Sequence, residues 1–262
     1  VPTDAGLTAY DGVGPKIWLM VLMCLGALSF ATHRNIARSG LAAIREDPEV
    51  LFFFNIVLGA ALVIWLAVLL SEPAHANIFD SLFAVVSLVT TTGWMPKDAE
   101  WMAHASPVLL LGLAVIGGGT LSTAGGLKLM RAGLLIKQSL REMQRLVYPH
   151  GIVRSRFGDR SYSIQLMKSV WTFFVIFLTA LGLGGVLLSL IGIEMEAAFA
   201  ASLAFLANVG PAYDMARAAG LHGPAFHDFP TLAQWLGVII MLLGRLELLV
   251  IISLLNRDYW RG

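Results

Sequence analysis

The sequence predicts an all-α integral membrane protein, on the basis of composition, segment length and an internal repeat. Of the 262 residues, 57% are hydrophobic and 13% are charged, and the mean hydropathy is +0.76. Soluble domains have about 45–50% apolar and about 25% charged residues. Several apolar stretches reach the roughly 20 residues that a spanning helix needs. Cys24 is the one cysteine of this sequence, so it offers neither an internal disulfide nor a metal-site spacing.

Seven apolar segments follow one another in a repeated order. Five are long enough to cross a bilayer: residues 15–31, 50–70, 107–136, 170–191 and 232–255. Two have about a dozen residues, a length typical of re-entrant or buried helices: residues 78–89 and 195–207. The order long, short, long therefore occurs twice, after one additional long segment. Aligning Gly93 with Gly210 superposes the two units, which predicts an internal repeat from hydropathy order.

Lysine and arginine are concentrated on one side of the predicted membrane. Segments 33–49 and 128–168 and the C-terminus are basic, whereas the opposite loops have only Lys97 and Arg217 among several acidic residues. Because cytoplasmic loops carry an excess of Lys and Arg, the linker 138–167 and the C-terminus are predicted to be cytoplasmic. Topology alone explains the basic linker, and a docking surface for a cytosolic partner is compatible with it.

Each short segment is followed by a polar, helix-breaking tetrapeptide. The first is Thr90-Thr91-Thr92-Gly93 and the second is Asn208-Val209-Gly210-Pro211. A helix that stops inside a bilayer leaves its last carbonyls unpaired, which lipid does not tolerate. Its dipole favours a cation at that end, and extended backbone after it would turn further carbonyls toward an ion. Two tetrapeptides at matching places favour a backbone-lined ion site over ordinary surface turns.

The segment after the first tetrapeptide contains five glycines within ten residues, at 117–126. Glycines that pack helices together are spaced about four apart on one face, but here they are contiguous and accompanied by hydroxyls. Each costs roughly 1 kcal/mol relative to alanine in a helix interior, which favours a broken helix that lines a cavity. We predict that this loop obstructs or releases ions through Gly117, Gly118, Gly119, Thr120, Ser122, Thr123, Gly125 and Gly126.

The last apolar segment contains two ionisable residues, Arg245 and Glu247. Ionisable residues inside a span are expensive and usually face a bundle interior or water. A buried pair that fixes helix positions is the structural interpretation. In the functional interpretation, Arg245 lies near the ion path and binds carbonyls of the glycine-rich loop. Glu247, about 200° further round the helix, then points toward the cytoplasmic linker.

These motifs together resemble the Trk/Ktr/HKT superfamily of potassium transporters, most closely the bacterial TrkH-type transmembrane subunit. The resemblance covers nearly the whole chain and rests on TTTGW, STAGGLK, NVGPA and MLLGRLELL. It implies helix–pore loop–helix repeats around a pseudo-fourfold pore, with short re-entrant pore helices and a broken transmembrane helix. Departures from the family motifs include Trp94 in place of phenylalanine, Ala212 in place of glycine and Leu121 in place of a small residue of the gate.

The resemblance also implies roles for residues. The third filter would be Thr90, Thr91, Thr92 and Gly93, and the fourth Asn208, Val209 and Gly210. Potassium would be bound by the backbone carbonyls of Thr91, Thr92, Asn208 and Val209. The loop 117–126 would be the gate, and Arg245 its electrostatic partner.

The resemblance divides the chain into parts of successive repeats. Residues 1–48 would end repeat two, 49–137 form repeat three, 138–167 form the linker and 168–262 form repeat four. Repeat one and the second pore loop would be absent. Two pore loops cannot surround an ion path, so the sequence predicts a fragment of a longer polypeptide. A natural half-transporter completed by another chain is the alternative.

The predicted function is K⁺ passage through a carbonyl-lined filter gated by the glycine-rich loop, in the bacterial inner membrane. No bond is made or broken, so we expect neither an enzyme nor a cofactor. By resemblance, the complete transporter is a homodimer regulated by cytosolic nucleotide-binding subunits similar to TrkA, and no nucleic acid is bound. The alternatives are a Na⁺ or mixed K⁺/Na⁺ transporter, a secondary transporter of an unrelated solute, and a membrane scaffold whose glycines only pack helices.

Overall fold

The part of the chain that the structure describes is mostly helical. A computed structural model describes residues 12–40, 42–95, 100–147, 156–157, 160–161 and 164–246. Its helices are α1 Val13–Ala27, α2 Phe30–Ser39, α3 Ala42–Glu46, α4 Pro48–Ser71, α5 Ile78–Val89, α6 Pro107–Ile116, α7 Leu129–Val147, α8 Ile164–Leu190, α9 Met195–Leu206, α10 Gly210–Ala218 and α11 Thr231–Arg245. Short 3₁₀ turns lie at Pro73–His75, Glu100–His104 and Phe226–Asp228. Two antiparallel strands of two residues each, β1 Arg156–Phe157 and β2 Arg160–Ser161, form a hairpin in the linker.

Among the described residues, two helices are long and apolar enough to cross a membrane by themselves, α4 and α8. The buried residues of α4 lie three or four positions apart and form one stripe: Val50, Phe53, Val57, Ala61, Ile64 and Val68. Large apolar residues on its other faces, such as Leu58 and Leu62, are exposed. A helix that buries one stripe while its other faces stay apolar is suited to a lipid environment.

The first apolar segment is bent rather than straight. The axes of α1 and α2 meet at 103°, so the pair is either a broken span or a re-entrant element. The break lies at Leu28 and Ser29, and the Ser29 side chain caps α2 by accepting a hydrogen bond from the backbone N–H of Ala31 at 3.1 Å. Serine is a favoured N-cap because its oxygen satisfies a donor at the helix start.

Both short helices predicted from the sequence are present, and each has 12 residues. Almost every residue in the second half of α5 is buried, and α9 is buried through a series of alanines and by Phe205 and Leu206. Helices of this length cannot span the roughly 30 Å of a bilayer core, and here protein surrounds them. The prediction of short re-entrant helices inside the bundle is therefore confirmed.

The long apolar segment 107–136 is broken as predicted. Helix α6 ends at Ile116 and α7 begins at Leu129, with a non-helical loop of residues 117–128 between them. Gly117 ends α6 with φ at +70°, in the left-handed region that glycine adopts without a steric penalty. We call residues 117–128 the glycine-rich loop.

The two units repeat at the level of single hydrogen bonds. Helices α5 and α9 begin 117 residues apart and end 117 residues apart, as Gly93 and Gly210 do. At the end of α5, three backbone amides donate to carbonyls of the helix: Thr90 to Val86, Thr91 to Leu88 and Thr92 to Ser87. The equivalent three bonds, each 117 residues later, lie at the end of α9: Ala207 to Leu203, Asn208 to Phe205 and Val209 to Ala204. The hydropathy order therefore reports a structural repeat.

Some sequence predictions fall outside the described residues. These are the outer loop 1–11, most of the linker 148–163, Glu247 and the C-terminal tail. The domain boundaries stay predictions. Within the described residues, helix α7 continues through the predicted boundary at 137 to Val147.

Candidate ion-conduction site

The first turn, Thr90–Gly93, is compact and held by its own hydroxyls. Its backbone is left-handed at Thr91, with φ at +56°, and at Gly93, with φ at +79°. The amides of Thr92 and Gly93 both donate to the Ser87 carbonyl, at 3.0 and 3.2 Å. The Thr90 and Thr92 hydroxyls are 2.8 Å apart. A β-branched residue rarely adopts a positive φ, so the turn holds Thr91 in a strained conformation.

The second turn, Asn208–Gly210, closes with the same backbone hydrogen bonds as the first but has different support. Asn208 is left-handed with φ at +58°, as Thr91 is in the first turn. Its side-chain amide donates to the Met241 carbonyl of α11 at 3.1 Å. Asparagine tolerates this conformation better than threonine does.

The predicted equivalence of Gly93 and Gly210 does not extend to conformation. We expected extended backbone after both short helices, but α10 begins directly at Gly210. Pro211 follows in the first turn of α10, where its fixed φ suits a helix and its missing N–H is not needed. Gly210 has no left-handed φ, and a Cβ there would come no closer than 3.9 Å to another atom.

The two turns meet each other. A Cβ added to Gly93 would lie 3.0 Å from the Pro211 ring, closer than ordinary contact. Since Gly93 ends the first tetrapeptide and Pro211 ends the second, the ends of the two short helices converge on one place. The close approach and the positive φ both require glycine at position 93.

The glycine-rich loop packs against both turns through Gly125. The Gly125 amide donates to the Thr91 hydroxyl at 2.7 Å. A Cβ at Gly125 would overlap with the Ala207 carbonyl oxygen, at the end of α9. One glycine therefore contacts the first turn through its amide and the second through its bare Cα.

The loop is held on one side by the bend between α1 and α2. The Gly119 amide donates to the Ala27 carbonyl at 2.7 Å, and the Thr123 hydroxyl donates to the Gly26 carbonyl at 2.9 Å. These are carbonyls of the last turn of α1, which have no partner within a helix. The bend and the loop therefore satisfy each other's backbone.

A carboxylate from α4 holds the loop near its start. Glu49 Oε1 accepts from the Thr120 amide at 2.6 Å and from the Thr120 hydroxyl at 2.9 Å. Hydrogen bonds to an ionised acceptor are shorter and about twice as strong as neutral ones.

Two cations bind three consecutive carbonyls on the loop. Arg245 Nη1 donates to the Thr123 carbonyl at 2.9 Å, and Lys128 Nζ donates to the carbonyls of Ser122 and Ala124. The predicted contact of Arg245 with loop carbonyls is thus present in the structure, while its part in gating stays a prediction. A cavity of about 540 Å³ opens beneath this face, between the loop and α8.

Helix α10, which follows the second turn, carries the charged residues Asp214 and Arg217. Burial raises the pKa of the Asp214 carboxyl, and Arg217, whose guanidinium lies 3.8 Å away, opposes that rise. The Arg217 side chain also donates to the Gly223 carbonyl at 3.0 Å, and the Tyr213 hydroxyl donates to the Pro224 carbonyl at 2.9 Å. These bonds fix α10 to the loop that follows it. Among the described residues, no group of three or more His, Cys, Asp or Glu could hold a metal ion.

The structure thus brings the predicted residues of both turns, the loop and Arg245 into one cluster. Sequence reasoning missed Glu49, Lys128 and the hydroxyl of Thr91 as contacts of this cluster. Glu49 carried no distinct signal, because an acidic residue in the first turn of a helix is already explained by the helix dipole. The spacing between Glu49 and Thr120 is 71 residues, too long for local pattern reading.

Comparison with known families gives one consistent match. The family described as "TrkH: Cation transport protein" matches residues 3–257. The Trk system potassium uptake protein TrkH of Halomonas elongata is 31% identical over 263 residues, with 98% of this chain and 53% of the relative covered. The protein TrkI of the same organism is 33% identical over 268 residues, covering 99% and 52%.

A solved structure has the same fold. The crystal structure of the potassium transporter TrkH from Vibrio parahaemolyticus matches with a TM-score of 0.86 at 30% identity. The match covers 98% of this chain and 55% of that one. The chain therefore spans about half the length of the relatives it matches.

Proposed function

The chain belongs to the TrkH family of cation transport proteins, and from that premise we propose that it supplies two of the filter segments of a K⁺ pathway. It is an integral membrane protein and not an enzyme. In the proposed pathway, the carbonyls of Thr91, Thr92, Asn208 and Val209 replace the hydration shell of the ion. The potassium uptake function named for the relatives supports K⁺ as the ion.

One observation carries this proposal: the two turns converge, and Gly125 of the broken helix lies against both. Such an arrangement suits ion conduction, because helix C-terminal ends and unwound backbone favour a cation where they meet. A membrane scaffold would have no need for a strained Thr91 at this place. A secondary transporter of an unrelated solute would need side-chain ligands, which the two turns offer only as hydroxyls and one amide.

The glycine-rich loop is proposed as the gate of this pathway. Its contact with both turns would let it block ions in one position and free them in another, and Arg245 would hold it through the Thr123 carbonyl. The cytoplasmic position of the linker and the C-terminus, assembly as a homodimer, and regulation by nucleotide-binding subunits similar to TrkA belong to the same proposal. The printed names of the relatives, which refer to a Trk system, support associated subunits.

The test is cation flux through the full-length protein in proteoliposomes, with K⁺ and Na⁺ measured in parallel. We expect Gly93→Ala to lower K⁺ flux about tenfold or more, because the new Cβ meets Pro211 and the left-handed φ becomes strained. Gly210→Ala should cause a smaller loss, since its surroundings are open. Gly112→Ala in α6, with no atom within 4 Å of its Cβ, is the control.

Three outcomes would change the proposal. Equal K⁺ and Na⁺ flux would assign a mixed-cation pathway. A wild-type protein without cation flux would favour an unrelated solute. Unchanged flux in both Gly93→Ala and Gly210→Ala would support the scaffold interpretation.

A further inference from the structure

Glu49 is placed where it can control the glycine-rich loop without facing the two turns. It lies in the first turn of α4, and its carboxylate accepts two hydrogen bonds from Thr120. A Cβ at the neighbouring Gly119 would lie 3.6 Å from the Glu49 carboxyl carbon, so the carboxylate also packs against the loop backbone. The two hydrogen bonds that its carboxylate accepts come from the loop and not from the proposed filter.

The position of this carboxylate is fixed by a cap. Asp47 caps α4 by accepting a hydrogen bond from the Glu49 amide at 3.0 Å. The other oxygen of Asp47 accepts from the Thr32 hydroxyl of α2 at 2.7 Å, and Thr32 is buried. Glu49 therefore projects from a helix end that is tied to a second helix, and an anchor held in this way moves little.

Arg245 binds the same loop three residues after the residue that Glu49 binds. The Glu49 carboxylate binds donors at Thr120, whereas the Arg245 guanidinium binds the acceptor at Thr123. Between these two residues lies Ser122, whose hydroxyl is buried and has no hydrogen-bond partner. Residues 120–123 of the loop are thus held between a negative side chain from α4 and a positive side chain from α11.

We propose that Glu49 is a positioning residue that keeps the glycine-rich loop closed, as the acidic counterpart of Arg245. This inference rests on the proposed gating function of the loop. Loss of the carboxylate removes two charge-assisted hydrogen bonds from Thr120, and the first half of the loop is then held less tightly, through the Gly119 amide and the Ala27 carbonyl. The carbonyls of residues 122–124 keep their bonds from Lys128 and Arg245, so the loop loosens at one end.

The test measures loop exposure and ion flux separately, in the full-length protein. For exposure, Ser122→Cys is introduced in a background whose other cysteines are replaced, and its reaction rate with a charged thiol reagent is followed. Because the Ser122 hydroxyl is buried, the closed loop should protect this thiol. For flux, basal Rb⁺ uptake into proteoliposomes is measured on the same variants without the cysteine.

We expect Glu49→Ala to raise both the thiol reaction rate and basal flux about tenfold, from the typical strength of hydrogen bonds to charged groups. Glu49→Gln should lie between Glu49→Ala and wild type, since its amide oxygen can accept both bonds from Thr120 but carries no charge. Glu46→Ala is the matched control, because Glu46 is an exposed glutamate three residues earlier. Thr120→Val, which keeps the amide but not the hydroxyl, should add little to Glu49→Ala.

The outcomes separate the anchor from the pathway. If Glu49→Ala leaves both measurements at wild-type values while Arg245→Ala raises them, the proposed role of Glu49 is wrong and the proposed gating function of the loop is retained. If only the melting temperature falls, Glu49 has a structural role alone, and the proposal is overturned. If the wild type conducts no cation, the proposed function fails, and the thiol reaction still decides whether Glu49 holds the loop. Should Glu49→Ala not accumulate, Glu49→Gln and Thr120→Val carry the same comparison.

Discussion

The two turns close with the same three backbone hydrogen bonds and differ in what else holds them. In the first, hydroxyl groups supply the support: Thr90 pairs with Thr92, and Ser87 donates to the Trp94 carbonyl at 2.8 Å. In the second, helices supply it: Asn208 bonds to α11, and Pro211 lies in the first turn of α10. The position equivalent to Ser87 is Ala204, which has no side-chain donor.

This difference shows how a repeat can keep its geometry while its parts become specialised. The backbone hydrogen bonds that close each turn come from the preceding helix and need no particular side chain. Side chains are then free to attach each turn to different neighbours. The first turn bonds to the glycine-rich loop through Thr91, whereas the loop packs against the second turn at the Ala207 carbonyl and the Asn208 side chain.

The largest effect should come from removing the contact that joins both turns. Gly125→Ala places a Cβ on the Ala207 carbonyl, and overpacking of this kind typically costs about 1–3 kcal/mol. We expect a lower melting temperature in detergent together with altered basal cation flux. Gly112→Ala, in an open helical position, should leave the melting temperature unchanged or raise it. Equal behaviour of the two variants would mean that the loop does not press on the second turn.

A change confined to the first turn should have an intermediate effect. Thr91→Val keeps the branched shape but leaves the Gly125 amide without an acceptor, which costs about 1–3 kcal/mol for a buried group. Thr91→Ser keeps the hydroxyl and should stay near wild type. The melting temperature and the basal cation flux of both variants are measured. If valine and serine behave alike, the turns are attached to the loop by shape alone and the comparison drawn above is wrong.

The smallest effect should follow when the first turn is made like the second. Ser87→Ala copies Ala204 and removes the bond to the Trp94 carbonyl, at a cost of about 1 kcal/mol. Ser71→Ala is a suitable reference, because the Ser71 hydroxyl bonds only to Ala67 at an exposed helix end. The stabilities of Ser87→Ala and Ser71→Ala are compared by thermal unfolding. A loss above about 3 kcal/mol would show that the first turn depends on this one hydroxyl far more than its repeat does.

The sequence alone predicted the parts of the fold that depend on length and local chemistry. Segments of a dozen apolar residues became α5 and α9, and contiguous glycines ended α6 at Ile116. The conformation of the second turn was not predicted correctly, because extended backbone was expected after both short helices and α10 begins directly at Gly210. Proline after Gly210 signals a helix start, but it also fits a turn, and tertiary contacts decide between the two.

Contacts between distant segments were harder to predict. Arg245 could be paired with the loop because an arginine inside a span needs acceptors and the resemblance implied the same contact, and the structure contains that hydrogen bond. Glu49 could not be paired with Thr120, since nothing in either neighbourhood specifies the other. A hydrogen bond between residues 71 positions apart depends on how α4 packs beside α7, which hydropathy does not reveal.

The sharp bend after α1 has a consequence for hydration. Helix α1 stops at Ala27 with carbonyl oxygens exposed toward the glycine-rich loop, and loop donors occupy those of Gly26 and Ala27. Any displacement of the loop strips these oxygens of their partners, so water must arrive to replace them. If the loop moves as the proposed gate requires, its motion is therefore tied to wetting of these carbonyls, and solutes that lower water activity should favour the position in which the loop donors occupy them.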